Sequence, residues 1–121
     1  MIVMSEKIQV ASTQFNYQYG NQIHFPYSIA RLVSFVKTNE KLSEKLEFQK
    51  TCIFREKFDE YLEKFSKADI LLCSCYVWNW EITKKFADQL KKKNPNCLIV
   101  FGGPQIPDNS EGFFEKYTFV D

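Results

Sequence analysis

Two apolar runs, Ile70-Leu71-Leu72-Cys73-Ser74-Cys75 and Cys97-Leu98-Ile99-Val100-Phe101, flank one strongly amphipathic segment. Runs that are apolar nearly throughout fit strands buried on both faces, as parallel sheets require. Between them Ile82, Phe86, Ala87 and Leu90 recur at helical spacing, so one side of a helix is apolar. Asn79 stands where an N-cap is wanted, Glu81 falls in the first turn, and Lys91-Lys92-Lys93 fall in the last. Those charges complement the helix dipole, and the lysine run is read as a solvated helix end. Asn94 is expected to cap the helix in the left-handed conformation, and Pro95 cannot continue the turn. Strand, helix and strand of these lengths predict a right-handed parallel crossover.

The rest of the chain repeats the pattern. Residues 7–12 read as a first strand, with Ile8 and Val10 on one face. Residues 13–25 are polar and turn-rich and contain Gly20-Asn21. Pro26 is expected to open a helix, where its missing N–H costs nothing, and Ile29, Leu32, Val33 and Val36 form its apolar stripe. A short strand is expected within 46–54 and a second amphipathic helix over about 55–66, with Phe54, Phe58, Tyr61, Leu62 and Phe65 as its stripe. After the apolar runs come a short helix near 110–116 and the start of a further strand at 118–121. Strands alternating with helices predict one α/β domain over residues 1–121. The expected architecture is a flavodoxin-like, doubly wound parallel sheet in three α/β/α layers, cut short near its last strand.

Composition narrows the function. Sixteen Lys and Arg against 15 Asp and Glu leave a net charge of +1, which gives no electrostatic case for nucleic acid or an anionic membrane. No apolar run approaches the roughly 18 residues of a membrane span. The first seven residues lack the basic and long apolar regions of a secretory signal, so the cytoplasm is the expected compartment. Cys52, Cys73, Cys75 and Cys97 have neither a disulfide framework nor a metal-ligand spacing and are read as buried, reduced thiols.

In open α/β sheets ligands bind beyond the carboxyl ends of the strands. Here those segments are residues 13–25, 74–78 and 102–107. The first is longer than a bare connection needs, which suits a pocket wall. Ser74 offers a hydroxyl at a strand end. Gly102 and Gly103 permit positive φ or close backbone approach, although a glycine pair also makes a plain tight turn. Tyr76, Trp78 and Trp80 cluster at a loop and helix start; Trp78 suits either ligand contact or the core. There is no Cys-x-x-x-Cys-x-x-Cys triplet for an iron–sulfur cluster, and no phosphate-binding Gly-x-x-x-x-Gly-Lys-Ser/Thr loop. No catalytic or metal-ligating residue is assigned to the chain itself. A flavin protein would want a Ser/Thr-Gly phosphate loop after the first strand, and a receiver domain an Asp where Cys73-Ser74-Cys75 stands.

The strings Ser74-Cys75-Tyr76-Val77-Trp78-Asn79 and Gly102-Gly103-Pro104-Gln105, with Phe25-Pro26-Tyr27-Ser28-Ile29-Ala30-Arg31-Leu32 before them, resemble one family closely. It is the amino-terminal cobalamin (B12)-binding domain of B12-dependent radical SAM proteins. The resemblance implies that Ser74, Tyr76, Trp78, Gly102, Gly103, Pro104 and Gln105 border cobalamin. It further implies a 4Fe-4S cluster and S-adenosylmethionine in a radical SAM barrel carboxyl-terminal to Asp121 in the same polypeptide. The parent would be a methyltransferase, or resemble the magnesium-protoporphyrin monomethyl ester oxidative cyclase; this domain alone would not catalyse. The Asp-x-His-x-x-Gly motif of related cobalamin domains, whose His ligates cobalt, is absent. The only histidine, His24, sits in Gln22-Ile23-His24-Phe25-Pro26-Tyr27 and is read as structural or solvent-facing. A module of the same fold that has lost its cofactor and serves in docking or regulation is the alternative.

Overall fold

A computed structural model describes residues 6–121; residues 1–5, most of the stretch read for a secretory signal, lie outside them. The chain begins with β1 (Ile8–Asn16), a small hairpin of β2 (Gln18–Tyr19) and β3 (Gln22–Ile23), and α1 (Tyr27–Thr38). Next come α2 (Glu40–Lys45), β4 (Leu46–Phe48), β5 (Cys52–Phe54) and, after a tight helical turn, α3 (Phe58–Lys64). The remainder is β6 (Ile70–Ser74), α4 (Trp80–Lys93), β7 (Leu98–Gly102) and α5 (Phe113–Lys116).

The main sheet is parallel, in the order β4-β1-β6-β7, with β5 also paired to β1. This is the expected flavodoxin-like α/β arrangement. The single strand expected within 46–54 is two short ones along the same edge of β1. Val10 pairs with Phe48, Thr13 with Cys52, and the register shifts before Asn16 meets Phe54. Phe54, expected on the stripe of the following helix, closes β5 instead. In the gap the Ser12 and Thr51 hydroxyls bond each other at 2.8 Å.

Alternation along the strands divides the core. Ala11, Thr13, Phe15, Leu71, Cys73 and Ile99 face α3 and α4, where Tyr61, Leu62, Phe65, Phe86, Ala87 and Leu90 close over them. Phe86 is the centre, with ring centroids 5.3 Å from Phe15, 5.1 Å from Phe58 and 6.2 Å from Phe65. The opposite face carries Val10, Ser12, Gln14 and Asn16 of β1, Leu72 and Ser74 of β6, and Val100 of β7; α1 lies over part of it. Ile29 is the buried residue of α1.

Several local expectations are corrected. The polar segment 13–25 is not all loop: Thr13 to Asn16 are the buried end of β1, and the hairpin supplies the rest. Pro26 stands just before α1 rather than inside it, and its carbonyl accepts the Ala30 N–H at 3.0 Å. Asn94 ends α4 at φ −139°, outside the left-handed region. Its amide instead donates to the Ala68 carbonyl at 3.0 Å, tying the helix end to the loop before β6. Lys91 is no solvated end; its ammonium reaches the Cys97 carbonyl at 2.7 Å and the Asp121 carboxylate at 2.6 Å. Residues 118–121 form no strand, yet Asp121 N–H donates to Ile99 O and its carboxylate accepts from Ile99 N–H, both at 2.9 Å, on the outer edge of β7. Burial pushes the Asp121 carboxyl up, but the Lys91 and Ile99 bonds outweigh this and hold it below the usual range. Among the described residues no helix is long and apolar enough to cross a membrane.

Candidate functional site

The carboxyl ends of β1, β6 and β7 meet at one edge. Ser74, the buried last residue of β6, lies opposite Gly102, the last of β7. Its hydroxyl is 3.1 Å from that of Ser28 on α1. Beyond them the two loops are laced by backbone bonds: Cys75 N–H to Gly102 O at 2.7 Å, and Gln105 N–H to Cys75 O at 3.2 Å.

The adjacent glycines serve different ends. Gly103 has φ +106°, and a Cβ there would stand 2.5 Å from the Cys75 oxygen and 2.9 Å from its nitrogen. Contact between two backbones, with the positive φ, demands glycine. Gly102 has neither constraint; a Cβ there meets nothing within 4 Å. What Gly102 preserves is open space.

That space is a crevice of about 500 Å³ between α1 and the ends of β6 and β7. Ser74, Tyr76, Gly102, Gly103 and Pro104 line it, together with Tyr27, Ser28, Ile29, Arg31 and Leu32 of α1 and with Leu72 and Val100 of the sheet. Five of the seven residues marked in the sequence are thus brought together. Gln105 is not among the lining residues; its backbone joins the loop lacing. Trp78 also lies outside the crevice and outside the core, 40% exposed on the sheet edge.

Trp78 heads an aromatic cluster. Its ring stacks on Tyr76 with centroids 4.4 Å apart and planes within 12°. Its indole N–H points to Asn16 Oδ1 at 3.5 Å, and the His24 ring is 6.1 Å away, with Tyr19 beyond. Asn16 also donates to the His24 carbonyl at 2.8 Å, so the end of β1 ties the hairpin to Trp78. The guanidinium of Arg55 lies 3.9 Å from the centre of the Tyr17 ring and donates to the Trp78 carbonyl. Asn79, expected to cap α4, is wholly buried and folds back instead. Its Oδ1 accepts from Tyr76 N–H at 2.8 Å and its Nδ2 donates to Ser74 O at 3.0 Å. One amide therefore fixes the loop that presents Ser74, Tyr76 and Trp78.

Ser28, Arg31 and Asn16 lie in segments the sequence marks for the ligand edge or the resemblance, yet nothing in it singles them out, and Arg55 lies in none of those segments. The first two fall within a helix whose apolar stripe draws the attention. Asn16 and Arg55 act through contacts distant in sequence, which no local pattern shows. The four cysteines are all buried free thiols, as expected. Burial is the main cause pushing the thiols up, to about 12 at Cys52 and Cys75 and about 11 at Cys97, with Cys73 raised as well. They remain protonated near neutrality and offer no nucleophile. Among the described residues no group of three or more His, Cys, Asp or Glu is placed to hold a metal ion.

No family model matches the chain. It is similar to the cobalamin-dependent radical SAM methyltransferase TokK of Streptomyces tokunonensis, with 33% identity over 96 residues, covering 79% of this chain and 14% of that protein. It is also similar to a 2-(S-pantetheinyl)-carbapenam-3-carboxylate methyltransferase of Streptantibioticus cattleyicolor, with 29% identity over 102 residues, covering 84% of this chain and 15% of the relative. The chain thus spans about one seventh of the length of the curated relatives it matches. Over roughly four-fifths of its length the chain is a homologue of methyltransferases of the cobalamin-dependent radical SAM kind, and it matches a B12-binding domain of such a protein.

Proposed function

We propose that the chain is the cobalamin-binding module of a B12-dependent radical SAM enzyme, with Ser74, Tyr76, Trp78, Gly102, Gly103, Pro104 and Gln105 bordering the cofactor. The observation that carries this reading is the crevice beside Ser74, kept open by the missing side chain of Gly102. Its volume falls within the roughly 300–1,000 Å³ of ligand pockets, yet a whole corrinoid is larger. It suits the nucleotide tail, with a serine hydroxyl available to the displaced base. The flat stacked faces of Tyr76 and Trp78 then suit the corrin ring outside the crevice. His24, packed among Tyr19 and Trp78, is assigned no ligating role.

Bound cobalamin supplies a cobalt centre able to carry a methyl group or an electron. The residues of this chain bind it, orient it and keep water from the buried tail. We assign the 4Fe-4S cluster and S-adenosylmethionine to a radical SAM barrel elsewhere in the same polypeptide, of which residues 1–121 form one domain. Both relatives are named as methyltransferases, which favours methyl transfer over an oxidative cyclase for the parent.

The test is an absorbance titration with hydroxocobalamin, run on the chain and on Gly102→Leu. Saturable binding is expected, and a leucine filling the crevice should weaken it at least about tenfold, a loss of roughly 1.4 kcal/mol. Circular dichroism should be unchanged in the variant. A folded chain that binds no cobalamin, alone and when extended past Asp121, overturns the reading in favour of a cofactor-free docking module.

A further inference from the structure

Two of the α1 residues that face the crevice beside the strand ends, Ser28 and Arg31, stand one helical turn apart. Arg31 is the single charged residue along the crevice, the other lining side chains being aromatic, aliphatic, hydroxylic or, at Cys73, a protonated thiol. Its Nη1 donates to the Tyr27 hydroxyl at 3.2 Å, with the guanidinium 5.8 Å from that ring. Among the described residues no carboxylate pairs with it. A guanidinium without an anionic partner at the side of an apolar cleft suits a ligand that is mostly uncharged but carries one phosphate.

Ser28 adds a second requirement. With the two hydroxyls 3.1 Å apart, one O–H is spent between Ser28 and Ser74 and the other remains free to donate. The pair therefore offers one donor where the buried Ser74 ends its strand, and Arg31 offers a cation on the helix that carries Ser28.

The nucleotide tail of cobalamin has a matching layout: an aromatic base with a free ring nitrogen once displaced from cobalt, a ribose, and one phosphodiester. We propose that α1 is the tail-reading element of this site, with Arg31 contacting the phosphodiester and Ser28 holding Ser74 in position to donate to the base. The inference rests on the cobalamin reading and assigns specificity within it.

Three corrinoids separate the parts: hydroxocobalamin, cobinamide phosphate (which keeps the phosphate and lacks the base) and cobinamide (which lacks both). Each is titrated against the chain, Arg31→Gln and Ser28→Ala, with circular dichroism as the folding control. Arg31→Gln should weaken hydroxocobalamin and cobinamide phosphate about tenfold and leave cobinamide unchanged, as for loss of a charged hydrogen bond. The effect should shrink in high salt, because Arg31 is exposed. Ser28→Ala should cost roughly three- to tenfold on hydroxocobalamin alone. Equal losses on all three corrinoids, or none, overturn the assignment to α1 while the cobalamin reading stands. A wild-type chain that does not distinguish the three places the tail outside the crevice and also overturns it. Binding of none of them defeats the cobalamin reading and this inference together.

Discussion

On the side of the sheet covered by α3 and α4, Phe15, Leu71, Phe86, Leu90 and Ile99 are sealed from solvent. On the side of α1, Leu98, Val100 and Leu32 are about half exposed, and the buried positions on β1 include Ser12, Gln14 and Asn16. Both faces are built from the same strands, so backbone geometry does not explain the contrast. The difference lies in what alternate side chains meet. The closed face is apolar, aromatic and densely packed, and it supplies most of the hydrophobic stabilisation. The other face buries more hydroxyls and amides and exposes apolar side chains beside a crevice. Unpartnered buried oxygens occur on both, Thr13 Oγ1 and Thr83 Oγ1 on the α4 side and Gln14 Oε1 here. A face arranged in this way gives up stability and keeps room for a ligand.

Thiol chemistry should show the contrast most strongly. Raising a thiol from 9.0 to about 12 cuts its thiolate fraction near pH 8 by about a thousandfold, before access is considered. The native chain should show almost no fast reaction with a thiol reagent at pH 8, and all four cysteines should react in denaturant. Each folded pKa lies above the unfolded value, so ionisation opposes folding: stability is complete below pH 9 and falls as pH rises from there. Fast labelling of Cys73 or Cys75 in the native chain would mean that the packed face opens readily.

Core substitution tests the same contrast energetically. Phe86→Ala removes the ring at the centre of the cluster and should cost about 3–5 kcal/mol in denaturant unfolding. Val100→Ala, on the open face, should stay within roughly 1 kcal/mol. Similar costs at the two sites would make the α1 face a second core and remove the reason for seeing a binding surface there.

The closed face was legible in the sequence because its signals are local and periodic. Leu71, Cys73 and Cys75, Tyr61, Leu62 and Phe65, and Phe86, Ala87 and Leu90 show their burial in their own spacing, and the structure buries them. Thr83 rather than Ile82 completes the buried face of α4. The strand Leu98–Gly102, read as buried on both faces, leaves Leu98 and Val100 half exposed on the α1 side. At the ligand edge Ser74 and Gly102 were legible as strand ends. The lacing around them was not. Asn79 looks like a cap because it precedes a helix; the tight turn of Val77–Asn79 carries its amide back to Tyr76 and Ser74 instead. Arg55 holds the Trp78 carbonyl from 23 residues away, and Ser28 meets Ser74 across 46. Such contacts follow from the crossover topology, and helix or strand period carries no trace of them.

The adjacent glycines give the smallest effect and the sharpest contrast, because their signs should differ. Gly103→Ala places a methyl group in backbone contact at positive φ and should destabilise by about 2 kcal/mol or more, with cobalamin affinity falling only as far as folding does. Gly102→Ala meets no atom within 4 Å and carries no positive φ. Restricting the unfolded chain there should leave stability unchanged or raise it by up to about 1 kcal/mol. If the crevice holds the cofactor tail, the same variant should bind cobalamin more weakly despite its equal or greater stability. A residue whose replacement helps the fold and harms the ligand belongs to the site. Should Gly102→Ala instead lose stability and leave binding intact, the open space beside it is incidental, and both glycines belong to the turn.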